Sequence, residues 1–272
     1  MRGGMSPAIS PWSGSGFDPT GQCRSRDAAA EYWPWLNVSW HSEKPADAFF
    51  LEWTGEALVL RSNQGDARST VGVDFLAGAQ ARRLKAVTGE ALTRAIGCQK
   101  GLRPSVFDST AGLGSDCSVL ANVGCAVWAC ERHPVVAGLL ADGVRRARDS
   151  GATWVQHLRC DWADSVEKVA NLDHGVVYLD PMFPKERKAQ PTLAMQWLHA
   201  LDNTDAGAEQ LLAAALASNA SRVVVKRPLK APPLAGPAPA SEIRAKTVRF
   251  DLYPRRKLSI DDVDSLREAL FS

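Results

Sequence analysis

Residues 176–184 read Val-Val-Tyr-Leu-Asp-Pro-Met-Phe-Pro, an apolar run that delivers a carboxylate, Asp180, to its end and follows it with Pro181 and Phe183. An amino group attached to an aromatic base is a weak nucleophile because its lone pair is delocalised into the ring. Two acceptors that take its N–H protons localise that pair, and an aromatic side chain can stack on the base. Asp180 supplies one acceptor, the Pro181 carbonyl the other and Phe183 the ring. Asp180 can also receive the departing proton. Group transfer to such an amine gains from proximity and alignment and needs no covalent enzyme intermediate. A strand ending in a Pro-punctuated turn would explain the prolines, but not an acid and an aromatic at this spacing.

A second constellation lies upstream. Asp108-Ser-Thr-Ala-Gly112-Leu-Gly114-Ser115-Asp116 follows another apolar run. Glycines are required where backbone turns sharply and a ligand comes close, and the next helix presents its N-terminus to that ligand. A nucleotide-type cofactor fits. Asp108, before the glycines, would repel a dinucleotide pyrophosphate but attract a cationic amino-acid group, directly or through water. Cys117 stands where a third dinucleotide-binding glycine would be. Glu131, ending the next apolar run, can accept both ribose hydroxyls. Asp161 can accept from an adenine amino group, and Arg132 and Trp162 can add a guanidinium and an aromatic wall beside it. Acids at three successive strand ends, with the cationic preference of Asp108, point to S-adenosylmethionine.

Cations cluster near the same loops. Arg82, Arg83 and Lys85 fall within four residues; Lys185, Arg187 and Lys188 follow the amine-directed motif; Lys226 and Arg227 end a Val-rich run. All eight are candidates for contact with a nucleic-acid backbone. The competing readings are a solvated helix face for the first group and salt bridges to the rim acids for the last.

These loops must be carried by regular elements. After Arg103-Pro104, β-branched runs alternate with Ala/Leu-rich helical stretches. The pattern predicts strands over 105–109, 126–130, 153–158, 175–179, 222–226 and 248–253, and helices over 116–122, 134–149, 164–170, 191–200, 205–218 and 260–270. Such alternation implies an α/β fold with a doubly wound, mostly parallel sheet that binds ligands at the carboxyl ends of its strands. Apolar runs broken by Thr54-Gly55 predict a small β element over 48–60, and a helix is predicted over 90–96. Three segments follow: an irregular Trp-, Gly- and Pro-rich leader over 1–45, a small β-containing N-terminal subdomain over 46–100, and the cofactor-binding domain over 101–272.

The bulk properties set bounds. Of the 272 residues, 45% are hydrophobic and 23% charged, ordinary values for a globular chain. No run approaches the roughly 18 apolar residues that cross a bilayer, and the N-terminus lacks the apolar core of a secretory signal, so the expectation is a cytoplasmic protein without membrane contact. The six cysteines form no CxxC pair, and the histidines stand apart from them, so no metal site is expected. A net charge of +2 decides nothing about a nucleic-acid partner, which depends on local clustering.

The Asp180 motif resembles the Asp/Asn-Pro-Pro-Tyr/Phe signature of amino-group methyltransferases, with Met182 in place of the second proline. Several segments together resemble the bacterial 16S rRNA (guanine(1516)-N(2))-methyltransferase family: Val73-Asp74-Phe75 with Arg82-Arg83-Leu84-Lys85, Asp108 to Gly114, Val123-Gly124-Cys125, Glu131 to Ala137, Val176 to Pro184, and Val223 to Pro228 with Ala231 to Ala235. The resemblance runs in unbroken order over about residues 71–254. It implies a class I, Rossmann-like methyltransferase that transfers methyl from S-adenosylmethionine to a guanine N2 amine of 16S rRNA, free or in the 30S subunit. It also implies cofactor contacts at Ser115 and Asp116, Glu131 and Arg132, Asp161 and Trp162, and Asp180. The chain departs from that family at Ser115, usually arginine, and at Asp161 and Trp162, usually small hydroxyl residues. Other readings remain open: an adenine or cytosine amino methyltransferase acting on DNA, a catalytically idle RNA-binding protein, and, least supported, a dinucleotide oxidoreductase.

Overall fold

In the computed structural model, which describes residues 9–13 as backbone and residues 49–63, 69–86, 90–99, 101–173, 175–182, 196–197 and 207–264, the apolar runs form two sheets. The elements in chain order are β1 (Ile9–Ser13), β2 (Phe49–Trp53), β3 (Leu58–Ser62), β4 (Thr70–Val71), α1 (Gly78–Lys85), α2 (Ala91–Ile96), β5 (Val106–Asp108), α3 (Ser115–Asn122), β6 (Val127–Glu131) and α4 (Pro134–Asp149). A 3-10 turn over Thr153–His157 precedes β7 (Leu158–Trp162), α5 (Ser165–Val169), β8 (Val176–Leu179), α6 (Ala208–Ala217), β9 (Arg222–Pro228), β10 (Ser241–Arg244), β11 (Val248–Pro254) and α7 (Asp261–Asp264).

The large sheet has seven strands in the order β10-β11-β9-β8-β5-β6-β7. The five from β9 to β7 run parallel, and β11 lies antiparallel to both β9 and β10. Chain order reverses at β5, whose neighbours are β6 on one side and β8 on the other, so a crevice opens beyond its carboxyl end. β8 is buried at every position, the mark of a strand covered on both faces. Its alternate residues serve the two faces. Val176 and Tyr178 join one core with β2, β3 and helices α2 to α4, while Val177 and Leu179 join another with α5 and α6.

The smaller sheet, ordered β1-β2-β3-β4, shares the first of these cores through Leu51, Leu58, Leu60 and Val71. It is pinned to α4 by Asp142, whose fully buried carboxylate accepts from Leu58 N at 3.1 Å, Arg145 at 2.9 Å and Arg146 at 2.9 Å. At the opposite end of the large sheet, Asp262 on α7 closes the entry to β5, β8 and β9. Its backbone carbonyl accepts from Ser105 N at 2.6 Å and its Oδ1 from Gly175 N at 2.9 Å, with the Ser221 hydroxyl donating to the same oxygen.

The sheet and most helices match the sequence pattern, with three corrections. The strand expected over 153–158 is a 3-10 turn, and the strand proper is β7, paired Cys130 to Asp161 and Glu131 to Trp162. Trp154 and Val155 are buried side by side, Trp154 edge-on to Phe75 with ring centroids 5.1 Å apart. A short apolar run does not distinguish such a turn from a strand. The leader expected to be irregular contains β1, which pairs in parallel with β2. The polar edge strand β10, Ser-Glu-Ile-Arg, carries too little apolar alternation to be seen in the sequence. The helix expected over 191–200 falls almost wholly outside the described residues, as does 260–270 beyond α7. No helix among the described residues is long and apolar enough to cross a membrane, and no group of three or more His, Cys, Asp or Glu among them could hold a metal.

Candidate active site

The carboxyl ends of β5, β6 and β8 meet around the glycine turn. Gly112 and Gly114 have φ of 54° and 81°, the left-handed region that side chains rarely adopt. The Gly112 N–H donates to Glu131 Oε2 at 2.9 Å and the His133 N–H to Oε1 at 2.8 Å, so the acid ending β6 is oriented by the backbone around it. The β8 end is tied to the same turn: Asp180 N donates to Thr110 Oγ1 at 2.6 Å, and the Ser109 N–H and hydroxyl donate to the Tyr178 carbonyl at 3.0 and 2.8 Å. Asp108 is buried and accepts from Thr110 N at 3.2 Å. Burial, with Asp116 alongside, pushes its carboxyl well above the usual carboxylate range.

Behind the turn runs a row of alternating charges. Lys226 Nζ donates to Asp180 Oδ2 at 2.7 Å and to Asp116 Oδ2 at 2.8 Å. Asp116 Oδ2 also accepts from the Tyr178 hydroxyl at 2.5 Å, and its Oδ1 faces Arg83 Nη1 at 2.7 Å. Arg83 is held in turn by both oxygens of Glu90, each at 3.1 Å, and donates to the Ser115 carbonyl and hydroxyl at 3.0 and 2.8 Å. Burial works against ionisation of Asp116, but Lys226 and Arg83 outweigh it and hold the carboxyl down at about 2. Asp180, about a third exposed, is shifted upward by desolvation, with Lys226 opposing and Asp116 adding to the rise.

On the β6–β7 side, Asp161 lies within β7, where its oxygens accept from Trp128 Nε1 at 2.9 Å and Arg159 Nε at 3.1 Å. Trp162 is 44% exposed, its indole N–H donating to the Arg132 carbonyl at 2.9 Å. An aromatic face thus stands open beside Glu131, while the Arg132 side chain is exposed.

The structure therefore gathers Asp108, Gly112, Gly114, Ser115, Asp116, Glu131, Asp180 and Pro181 at one rim. Three of the expected backbone-contacting cations are engaged within the protein. Arg83 and Lys226 belong to the charge row, because Asp116 between them is buried and needs neutralising. Arg227 is buried beneath the loop that follows β9, donating to the Pro232 carbonyl at 2.9 Å. Below the same loop, Arg249 pairs with Asp251 at 2.7 Å and donates to the carbonyls of Pro228, Leu229 and Ala231 at 3.2, 3.0 and 2.7 Å. Arg82 and Lys85 on α1 are exposed. Phe183, Lys185, Arg187 and Lys188 lie outside the described residues. Sequence reasoning missed Thr110, Tyr178 and the Arg249 clamp; the Tyr178 hydroxyl within an apolar strand was the available cue, since a buried tyrosine needs a polar partner.

A nucleotide-type cofactor with a cationic tail fits these residues. A Cβ added at Gly112 would meet nothing nearer than Thr110 O at 4.0 Å, so the turn faces open space where a ligand would approach. The oriented Glu131 carboxylate lies against the Gly112 N–H, and the buried Asp108 against the N–H of Thr110.

Sheet order, switch point and rim acids together define a class I S-adenosylmethionine-dependent methyltransferase. Over residues 36–255 the chain matches, and belongs to, the family described as "Putative SAM-dependent methyltransferase". It is 41% identical to a protein of Pseudomonas syringae pv. tomato named ribosomal RNA small subunit methyltransferase J, across 86% of this chain and 89% of that one. A protein of the same name from Shewanella oneidensis is 40% identical, covering 79% of this chain and 90% of its own. The crystal structure of a SAM-dependent methyltransferase from Neisseria gonorrhoeae superimposes with a TM-score of 0.66 at 29% identity, over 92% of this chain and 98% of that one.

Proposed function

We propose that this protein transfers a methyl group from S-adenosylmethionine to the N2 amine of one guanine in 16S rRNA, acting in the cytoplasm on the 30S subunit or its RNA. The observation that carries the reading is Asp180-Pro181 at the end of β8, stitched through Thr110 to the glycine turn. The names of the relatives supply the substrate class.

Gly112 and Ser115 would admit the cofactor against backbone, while Gly114 lets the turn pack on Leu140 and Phe75; Glu131 would accept from its ribose hydroxyls, with Asp108 and Asp116 lying toward its cationic amino-acid end. Arg132, Asp161 and Trp162 would border its adenine. When bound, the cofactor supplies an electrophilic methyl group on a sulfonium. The protein's own part is to present the amine. Asp180 accepts one N–H and the Pro181 carbonyl the other, concentrating the nitrogen lone pair along the line of transfer, while Phe183 stacks on the base. The proton that the amine loses passes to Asp180, whose upward-shifted carboxyl is suited to hold it. Arg82 and Lys85, with Lys185, Arg187 and Lys188, would meet phosphates. In this scheme residues 101–272 bind the cofactor, and Arg82 and Lys85 of the 46–100 segment help to seat the RNA.

The test is incubation of the protein and methyl-labelled S-adenosylmethionine with 30S subunits from a strain lacking the enzyme, followed by nucleoside mass spectrometry. N2-methylguanosine at a single site is the expected product. A methylated adenine or cytosine, or no product from protein that binds cofactor, overturns the reading.

A further inference from the structure

We propose that Lys226 is a positioning residue for the methyl-transfer step, fixing Asp180 so that one carboxylate oxygen is held by the protein and the other is presented to the amine; this rests on the reading of Asp180 as the amine's acceptor. Sequence position left Lys226 open between a phosphate contact and a salt bridge to the rim acids, and its bonds point inward. Its ammonium donates to Asp180 Oδ2 and Asp116 Oδ2 at 2.7 and 2.8 Å, and a phosphate would have to compete with both. Asp180 Oδ1 has no hydrogen-bond partner among the described residues, whereas Oδ2 is taken. The carboxylate is thereby held through Oδ2 by Lys226, on a backbone that its own N–H ties to Thr110 just beyond the end of β8.

The ammonium is itself held. Asp116, on α3, takes Lys226 and the Tyr178 hydroxyl on one oxygen and faces Arg83 with the other, and Arg83 is gripped by Glu90. The chain Glu90–Arg83–Asp116–Lys226–Asp180 alternates in sign at every step. It carries the placement of Asp180 back to α1 and to the residue that begins α2, outside the parallel sheet. The charged or titratable groups around Asp180 are Lys226 from β9, Asp116 from α3, Asp108 from β5, Arg83 from α1 and Tyr178 from its own strand. Lys226 alone among them donates a hydrogen bond to the Asp180 carboxylate. Without it, Asp180 would face the Asp116 carboxylate with only the more distant Arg83 to offset the repulsion.

Two measurements test this on Lys226→Met and Lys226→Arg, with Lys226→Gln, which keeps an N–H donor, as the substitute if the methionine variant does not fold. The first is a carboxyl carbon NMR titration of the protein without cofactor, the Asp180 signal assigned by its loss in Asp180→Asn. Removing the ammonium should move the Asp180 midpoint upward by about one to three pH units, and arginine should restore most of it. The second is the pH dependence of kcat with 30S substrate. The methionine variant should lose about a hundredfold in kcat at neutral pH, its acid limb moving up with the carboxyl, while its Kd for cofactor changes less than about threefold. An unmoved Asp180 midpoint overturns the proposal. So does an unchanged kcat with a raised KM for RNA and a weaker salt dependence, the signature of a phosphate contact. If wild-type protein methylates no base amine, the reading of Asp180 as acceptor falls, and the proposal built on it falls too. A shifted midpoint would then show only a Lys226–Asp180 link without that purpose.

Discussion

At the scale of single residues, the site separates two carboxylates by the company they keep. Glu131 is fixed by backbone N–H groups on either side of the crevice, whereas Asp180 answers to a side chain. Their substitutions should therefore fail differently. If Asp180 is the amine's acceptor, as proposed, Asp180→Ala should abolish turnover while the cofactor Kd measured by calorimetry changes little. Equal loss of both would make it a cofactor ligand first. Glu131→Ala should weaken cofactor binding about tenfold or more, the scale of a charge-assisted hydrogen bond lost to a hydroxyl pair; an unchanged Kd would remove it from the ribose site. Asp108, Glu131 and Asp180 were legible in the sequence because each ends an apolar run. Lys226 and Arg227 stayed open between phosphate and rim acid for the same reason: a cation ending a run is equally visible whether it points to solvent or to an acid. Only the register of β9 beside β8, pairing Leu179 with Val225, shows that Lys226 comes up beside Asp180.

Among elements, the contact of interest is that of the small sheet with α4. Asp142 is fully buried, and its carboxylate joins a strand N–H to two guanidiniums of its own helix. Asp142→Ala would leave two arginines without their buried counter-charge, at a cost of about 3–5 kcal/mol. Urea denaturation should register that loss, and hydrogen exchange should show β3 losing protection before β5 does. Uniform loss would mean that the small sheet has no separate opening. Periodicity revealed α4 to the residue, since its sixteen residues span several turns. It could not reveal β1, β4 or β10, which are short or polar and are strands only because a neighbour offers a free edge.

For the molecule as a whole, acid stability follows from carboxylates placed far apart. Asp262 is held below its ordinary value: burial opposes this, but the Ser221 hydroxyl, the Gly175 and Ser259 N–H groups and Arg256 prevail. Asp116 is depressed likewise, to about 2. A carboxyl lowered in the folded state contributes stability above its unfolded value of about 3.9, and that contribution is lost as pH falls through the folded value. Stability measured by urea should therefore exceed that of Asp262→Asn most at neutral pH, the gap closing as pH falls below about 4. A constant gap would show that Asp262 acts through geometry alone. Asp108 and Asp180, shifted upward, work in the opposite sense and soften the acid limb of the whole protein.

The loop after β9 carries one more consequence. Its course is set from beneath, by Arg249 on three of its carbonyls and Arg227 on a fourth, and a carbonyl is present whatever side chain its residue bears. Shape and surface chemistry are thus uncoupled there. Replacing exposed Lys230, Pro233 or Ala235 should alter what the rim presents to a partner while leaving thermal stability within about 0.5 kcal/mol. For anyone wishing to give this rim a new binding partner, that loop is a mount on which contacts can be set without rebuilding the support.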